Sequence, residues 1–289
     1  MSIDVLQNKI RKMKNPAMVN LIMDPAALPP HLLENGAAAG YGVFCRELLN
    51  ALKGTVPAVR VGFTPFSLLG PDGLRELTEV LRTAGQLGYY VALEAPRILS
   101  PGMAAMVAGN VFGENSAWPC EGLIIEGYLG GDIVKPFLPY CKAGKDIFCV
   151  VRTSNKSAPE IQDLLSGTRL VHAAAADLYN RFTAGNVGKS GYANVAIMAG
   201  AGSAESLRIL RGKYPKLFLL VDDLDYPGCN AKICAGAFDK FGHGAVCCSG
   251  SAITQAWKNG EEDGQDYIAQ AQAAAERMKN NLTRYTTVL

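Results

Sequence analysis

A chain of 289 residues with 49% hydrophobic side chains is long enough for one large α/β domain with a full core. Twenty-eight Lys and Arg against 26 Asp and Glu leave a formal charge of +2, and like charges never gather into a long run, so nothing marks a binder of nucleic acid or of a membrane surface. The N-terminus, MSIDVLQNKIRKMKN, is polar and amphipathic, without the apolar core of a signal peptide, and no later stretch is long and apolar enough to span a bilayer; the expected compartment is the cytosol.

Eight cysteines stand at 45, 120, 141, 149, 229, 234, 247 and 248. Several lie inside apolar runs such as IFCVV and AVCCS, which in a reducing compartment read as buried free thiols. Cys229 and Cys234 lack a second close pair at zinc spacing, and adjacent Cys247 and Cys248 would face opposite sides of a strand. Neither a metal nor a cofactor is expected.

Eight apolar runs follow one another at 18–23, 58–63, 90–93, 123–125, 147–151, 195–198, 217–221 and 245–248. Most gaps between them carry helical periodicity, as at 73–87 (GLRELTEVLRTAGQL) and 204–214. Short runs that do not alternate read as strands covered on both faces, and strict alternation of strand and helix implies parallel pairing with right-handed crossovers. Eight such units favour closure over an open sheet. The fold class expected is therefore α/β, a single (β/α)8 TIM barrel over residues 1–289, with a last helix near 262–284 packed across its exterior.

In such barrels chemistry gathers past the carboxyl ends of the strands. The first strand leads into Ile22-Met23-Asp24-Pro25, where Asp24 is either a mouth carboxylate or a loop residue before proline. Arg60 lies too deep in the second apolar run for a surface role and is expected to face the site. The third strand ends in Glu94-Ala95-Pro96-Arg97-Ile98-Leu99, and strand alternation would turn Arg97 to the opposite face from Pro96. Glu126 ends the fourth strand, and Arg152-Thr153-Ser154-Asn155 the fifth. Thr153 to Asn155 are candidate polar contacts for a ligand at this strand end, and they equally suit the cap of a helix beginning near 158–160. Gly200-x-Gly202 after the sixth strand is a weak nucleotide signal, since a Gly-rich turn is expected there in any barrel. The seventh strand ends in Asp222-Asp223-Leu224-Asp225-Tyr226-Pro227-Gly228-Cys229 and the eighth in Cys248-Ser249-Gly250-Ser251. Free amides near Gly250 and Ser251 are expected to retain some capacity for an anion.

Tyr128-Leu129-Gly130-Gly131-Asp132, Lys135-Pro136-Phe137, Arg152-Thr153-Ser154-Asn155 and Gln162-Asp163-Leu164, together with Asn15-Pro16 and Val56-Pro57-Ala58-Val59, resemble the bacterial type 2 branch of orotidine 5′-phosphate decarboxylase in register over nearly the whole chain. The resemblance implies the barrel, a homodimer with sites shared across its interface, and a pyrimidine nucleotide as ligand. It also implies roles. Asp24 lies near the family's ribose-binding carboxylate, Arg60 replaces a lysine that contacts the ribose, and Ser154 aligns with a serine that holds the pyrimidine. The family's Asp-x-Lys-x-x-Asp motif falls on Glu94, Pro96 and Leu99. The proton-donating lysine is thereby a proline, and the carboxylate lent to the neighbouring subunit is a leucine. The family's Gly-rich phosphate loop falls on Asp222, Asp223 and Asp225, and its phosphate arginine on Ser251.

With four parts of the implied mechanism altered, the function expected is that of a barrel that no longer decarboxylates and keeps a binding or assembly role. Two alternatives stand beside it. One is a cleft retuned to a metal or cationic ligand by Glu94, Glu126, Asp222, Asp223 and Asp225; the other is a working decarboxylase that uses Arg60, Arg97 or Lys135 as displaced groups. Pairing with an active paralogue is a further way to serve without catalysis.

Overall fold

The structure, a computed structural model, describes residues 2–260 and 263–289. Eight parallel strands close into a barrel: β1 (Ala17–Asn20), β2 (Ala58–Gly62), β3 (Tyr90–Glu94), β4 (Gly122–Ile125), β5 (Asp146–Arg152), β6 (Ala193–Gly200), β7 (Leu217–Asp222) and β8 (Ala245–Ser249). Each strand pairs with its sequence neighbours, and β1 pairs with β8 to complete the ring. The first apolar run was expected to be strand as far as Met23, but β1 stops at Asn20. Leu21 and Met23 owe their apolar character to burial beneath the following helices, not to the sheet.

The helices relevant here are α1 (Ser2–Met13), α2 (Ala37–Ala51), α3 (Gly70–Gln86), α4 (Pro101–Phe112), α5 (Leu138–Lys142), α6 (Val171–Asn180), α7 (Ala204–Lys213), α8 (Ala231–Cys234), α9 (Ser251–Thr254) and α10 (Tyr267–Tyr285). The last helix thus begins later than position 262, which itself lies outside the described residues. Among the described residues no helix is long and apolar enough to cross a membrane. The cysteines are free thiols, buried except for half-buried Cys229, and Cys247 and Cys248 sit on opposite faces of β8, one against the helices and one inside the barrel.

Period-two alternation sorts every strand into two cores. Val59, Val61, Val91, Leu93 and Leu123 pack outward against the helices, while Met18, Ala58, Tyr90, Ile124, Phe148 and Phe218 fill the interior. Helix α1 closes the lower end, because Ile3, Leu6 and Ile10 recur at helical spacing and enter the same interior cluster. The parity that places Met18 and Ala58 inside also carries Asn20, Arg60, Glu94 and Asp222 to the upper rim. This rim is where the site is built.

At the lower end Asp146 is fully buried and accepts a 2.7 Å hydrogen bond from the Tyr90 hydroxyl. Burial pushes its carboxyl up to about 7. A carboxyl whose pKa is raised on folding favours the folded state at low pH, and that contribution fades as pH climbs from the unfolded pKa towards the folded one. Asp146→Asn, which mimics the protonated acid, should therefore gain on the wild type by about 2–3 kcal/mol between pH 5 and pH 8. Urea denaturation at the two pH values measures this, and an unchanged difference would rule it out.

Candidate functional site

Arg60 is the hub of the rim. One guanidinium nitrogen, Nη1, donates to Asp222 Oδ2 at 2.6 Å, and Nη2 donates to Glu94 Oε2 at 2.6 Å. Arg60 and Asp222 are each 7% exposed, whereas Glu94 is half-buried. Burial alone opposes the charge on Arg60, yet attraction to Asp222 and Glu94 outweighs it and holds the guanidinium above its ordinary pKa. The rigid planar fork suits a bridge between two carboxylates, which a point-charge ammonium would not span. Asp222 Oδ1 remains buried and without a hydrogen-bond partner.

Two cavities open on either side of this clamp. The first, of 250 Å³, is lined by Asn20, Ile22, Asp222, Asp223, Asp225 and Gly250, among others. The second, of 380 Å³, includes Arg60, Glu94, Arg97, Ile124, Glu126 and Met198 in its lining. No lysine lines either one. Pro96 is half-buried, Leu99 is 55% exposed, and Lys135 is exposed and lines neither cavity.

Asp223 follows β7 in the left-handed region, at φ 57°, where a residue other than glycine is uncommon. Burial, and then the charge of Asp222 beside it, push its carboxyl up to about 6. Asp225 goes the other way. Its Oδ1 accepts from the Gly250 amide at 3.2 Å, while Oδ2 accepts from the Ser251 hydroxyl at 2.6 Å and the Ala252 amide at 2.9 Å. Burial works against its charge, but these three donors outweigh the burial and hold the carboxyl below its usual range. The amides expected to be free for an external anion are thus occupied by the protein's own carboxylate. That pairing is invisible to local sequence, because its partners lie on the two segments that follow the neighbouring strands β7 and β8.

For Asp24 and for Thr153 and Asn155 the structure selects between two alternatives, and for Arg97 it corrects the expectation. Asp24 is exposed and caps a short 3-10 turn, accepting from the Ala26 amide at 2.9 Å; it lines neither mouth cavity, because β1 ends four residues earlier. Arg97 does line the second cavity, because β3 stops at Glu94 and strand alternation no longer governs position 97. Thr153 and Asn155 do not cap the next helix, which begins at Pro159 with Ala158 ahead of it and no side-chain cap. The Thr153 hydroxyl instead donates to Asn155 Oδ1 at 2.5 Å and accepts from Gln162 Nε2 at 2.8 Å. Beside them Arg152 grips Asp163 through Nε and Nη2 at 3.1 and 2.9 Å. Much of the Arg-Thr-Ser-Asn stretch therefore locks its own loop.

Ser154 is different: it is buried, its Oγ lacks a hydrogen-bond partner of normal geometry, and it packs against Gly200. A Cβ at Gly200 would lie 2.1 Å from that oxygen, so the glycine of the Gly-x-Gly turn makes room for the serine and needs no nucleotide to explain it. Glu126 Oε1 accepts from the Ile98 amide at 3.1 Å, tying the loop after β3 to the end of β4, and its Oε2 is buried without a partner. The expected acidic cluster is divided, with Asp222, Asp223 and Asp225 at one cavity and Glu94 and Glu126 at the other. Among the described residues no three His, Cys, Asp or Glu converge as a metal site. Asn20 was missed, although the parity that turns Met18 inward would have found it.

No family model matches the chain. Among curated proteins, an orotidine 5′-phosphate decarboxylase from Rhodopirellula baltica is 31% identical over 233 residues, spanning 79% of this chain and 77% of the relative. One of the same name from Clostridium novyi is 24% identical over 286 residues, 98% of each chain. The solved structure of Leishmania donovani OMP decarboxylase superposes with a TM-score of 0.75 at 22% identity over 99% of both chains, which shows the shared fold. The barrel with its rim, and the identity maintained along most of its length, lead to one conclusion: the chain belongs to the orotidine 5′-phosphate decarboxylase family.

Proposed function

We propose that this chain is a family member that no longer decarboxylates orotidine 5′-phosphate and keeps its barrel mouth for binding, as a homodimer. The observation that carries this reading is the Arg60 clamp: this deeply buried cation of the rim is held between Glu94 and Asp222, the equally buried Arg152 is held by Asp163, and no lysine lines either cavity. General acid catalysis contributes about 10²- to 10⁴-fold and needs a donor with a pKa near the working pH. A guanidinium held charged by two carboxylates does not release its proton, and Pro96 has none to give. A phosphate dianion would also meet Asp222 and Asp223 at short range, while Asp225 already occupies the amides at the start of α9.

Purified protein incubated with orotidine 5′-phosphate should show no loss of substrate absorbance, and neither should a Pro96→Lys/Leu99→Asp variant, because the phosphate contacts stay closed in both. Turnover by the wild type would overturn the proposal. Uridine 5′-phosphate at millimolar concentration should leave the melting temperature unchanged.

The unpartnered Asp222 Oδ1 beside Asp223 favours a second reading, a small organic cation at the first cavity. In the same melting experiment agmatine would then stabilise the protein, more at pH 7.5 than at pH 5. A flat response would dismiss it. Light scattering tests the dimer.

A further inference from the structure

A cleft of 670 Å³ lies outside the barrel, between the loop that follows β7, helices α8 and α9, and the face of α10. Helical spacing builds one wall: Arg277, Asn281 and Arg284 stand at i, i+4 and i+7 on α10, forming a stripe beside the buried Ala274 and Met278. Lys232 of α8 faces them from the other side. None of the three cations has a carboxylate or hydrogen-bond partner among the described residues. Some exposed basic residues elsewhere are paired, Arg75 with Asp72, Arg82 with Glu79, and Arg169 and Lys213 with Asp177, and others such as Lys53 and Lys156 have no partner among the described residues; what sets these three apart is that they line one cleft.

Among the described residues Asp225 is the one acid in the cleft lining, and its carboxylate is spent on Gly250, Ser251 and Ala252. The cleft therefore carries positive charge with no free carboxylate against it among the described residues, above a partly apolar floor of Ala274, Met278 and Ile253. Its volume falls within the roughly 300–1,000 Å³ of small-molecule sites. The first rim cavity, lined by Asp222, Asp223 and Asp225 and, among the described residues, by no cation, has the opposite charge character, so it would not share a ligand with the cleft.

We propose that this cleft binds a small molecule in which a phosphate or carboxylate is attached to an apolar body, the anion meeting Arg277, Arg284 and Lys232 and the body lying on Met278 and Ile253. The site is independent of whether the barrel decarboxylates.

Titration calorimetry with 1-naphthyl phosphate tests it. The probe should bind more tightly than inorganic phosphate, which lacks the body, and than 1-naphthol, which lacks the anion. Arg277→Glu/Arg284→Glu should weaken it by about tenfold or more. Both positions are exposed, so an unchanged melting curve is expected to confirm that the variant is folded. Arg75→Glu/Arg82→Glu on α3 makes the same charge change elsewhere and should leave affinity intact. Absence of binding at millimolar probe, or equal binding by wild type and Arg277→Glu/Arg284→Glu, would overturn the proposal. So would equal weakening by the α3 control. Tighter binding of a short single-stranded oligonucleotide that is lost in the α10 variant would also overturn it, assigning the surface to nucleic acid.

Discussion

Arg60→Leu is expected to destabilise the protein by about 3–5 kcal/mol, the cost of removing one partner from a buried ionic network. The physical reason is asymmetric. Forming the clamp gains little over an apolar equivalent, since three charges had to leave water, but breaking it strands Asp222 at 7% exposure with neither oxygen paired. Glu94 contributes less to the loss, because its half-exposed carboxylate can turn to solvent. Arg60→Lys should fall in between: an ammonium keeps the charge but does not bridge two carboxylates as the fork does. Adding Asp222→Asn to Arg60→Leu should recover part of the loss, because the stranded charge is then gone. Urea denaturation of the four proteins decides the matter. A loss below about 1 kcal/mol for Arg60→Leu, the range of an exposed pair, would show that the clamp is open to water.

Asp225→Ala is expected to cost about 1–3 kcal/mol, the range for losing a helix cap or leaving charge-assisted donors unmet. Three donors lose their acceptor at once, although water at this partly exposed rim replaces some of it. The pH dependence distinguishes this account from a packing defect. Burial raises the carboxyl of Asp225 and its three donors lower it further than burial raises it, so the folded pKa lies below the unfolded value. Its contribution is then fully present above the unfolded pKa, near 4, and is lost as pH falls through the folded one. The melting-temperature gap between wild type and Asp225→Ala should hold steady from pH 7 to pH 5 and close in more acidic buffer. A gap that persists in acid would assign the loss to packing.

Much of the barrel could be read from the chain because its cause is local. Each strand needs apolar residues on both faces, so 147–151 stands out as an unbroken run and 58–63 as one interrupted by Arg60, whose depth in the run argues against a surface role. Strand alternation failed where the strand it depends on had ended. Arg97 lies beyond β3, and Asp24 beyond β1, and each took its direction from a loop. Thr153 and Asn155 had the chemistry of a cap but found closer partners in each other and in Gln162, once Arg152 and Asp163 had folded that loop back on itself.

The sequence by itself determined the alternation of strand and helix and the closure into eight units. Only the tertiary structure decided where the charges are spent: that Arg60 is shared between Glu94 and Asp222, that Asp225 reaches across to the start of α9, and that three cations on α8 and α10 have no partner among the described residues. Side-chain periodicity is set by the backbone a few residues away. Electrostatic pairing across a barrel mouth depends instead on which strand ends meet in space, and the closing of the ring alone brings together groups so far apart in the chain.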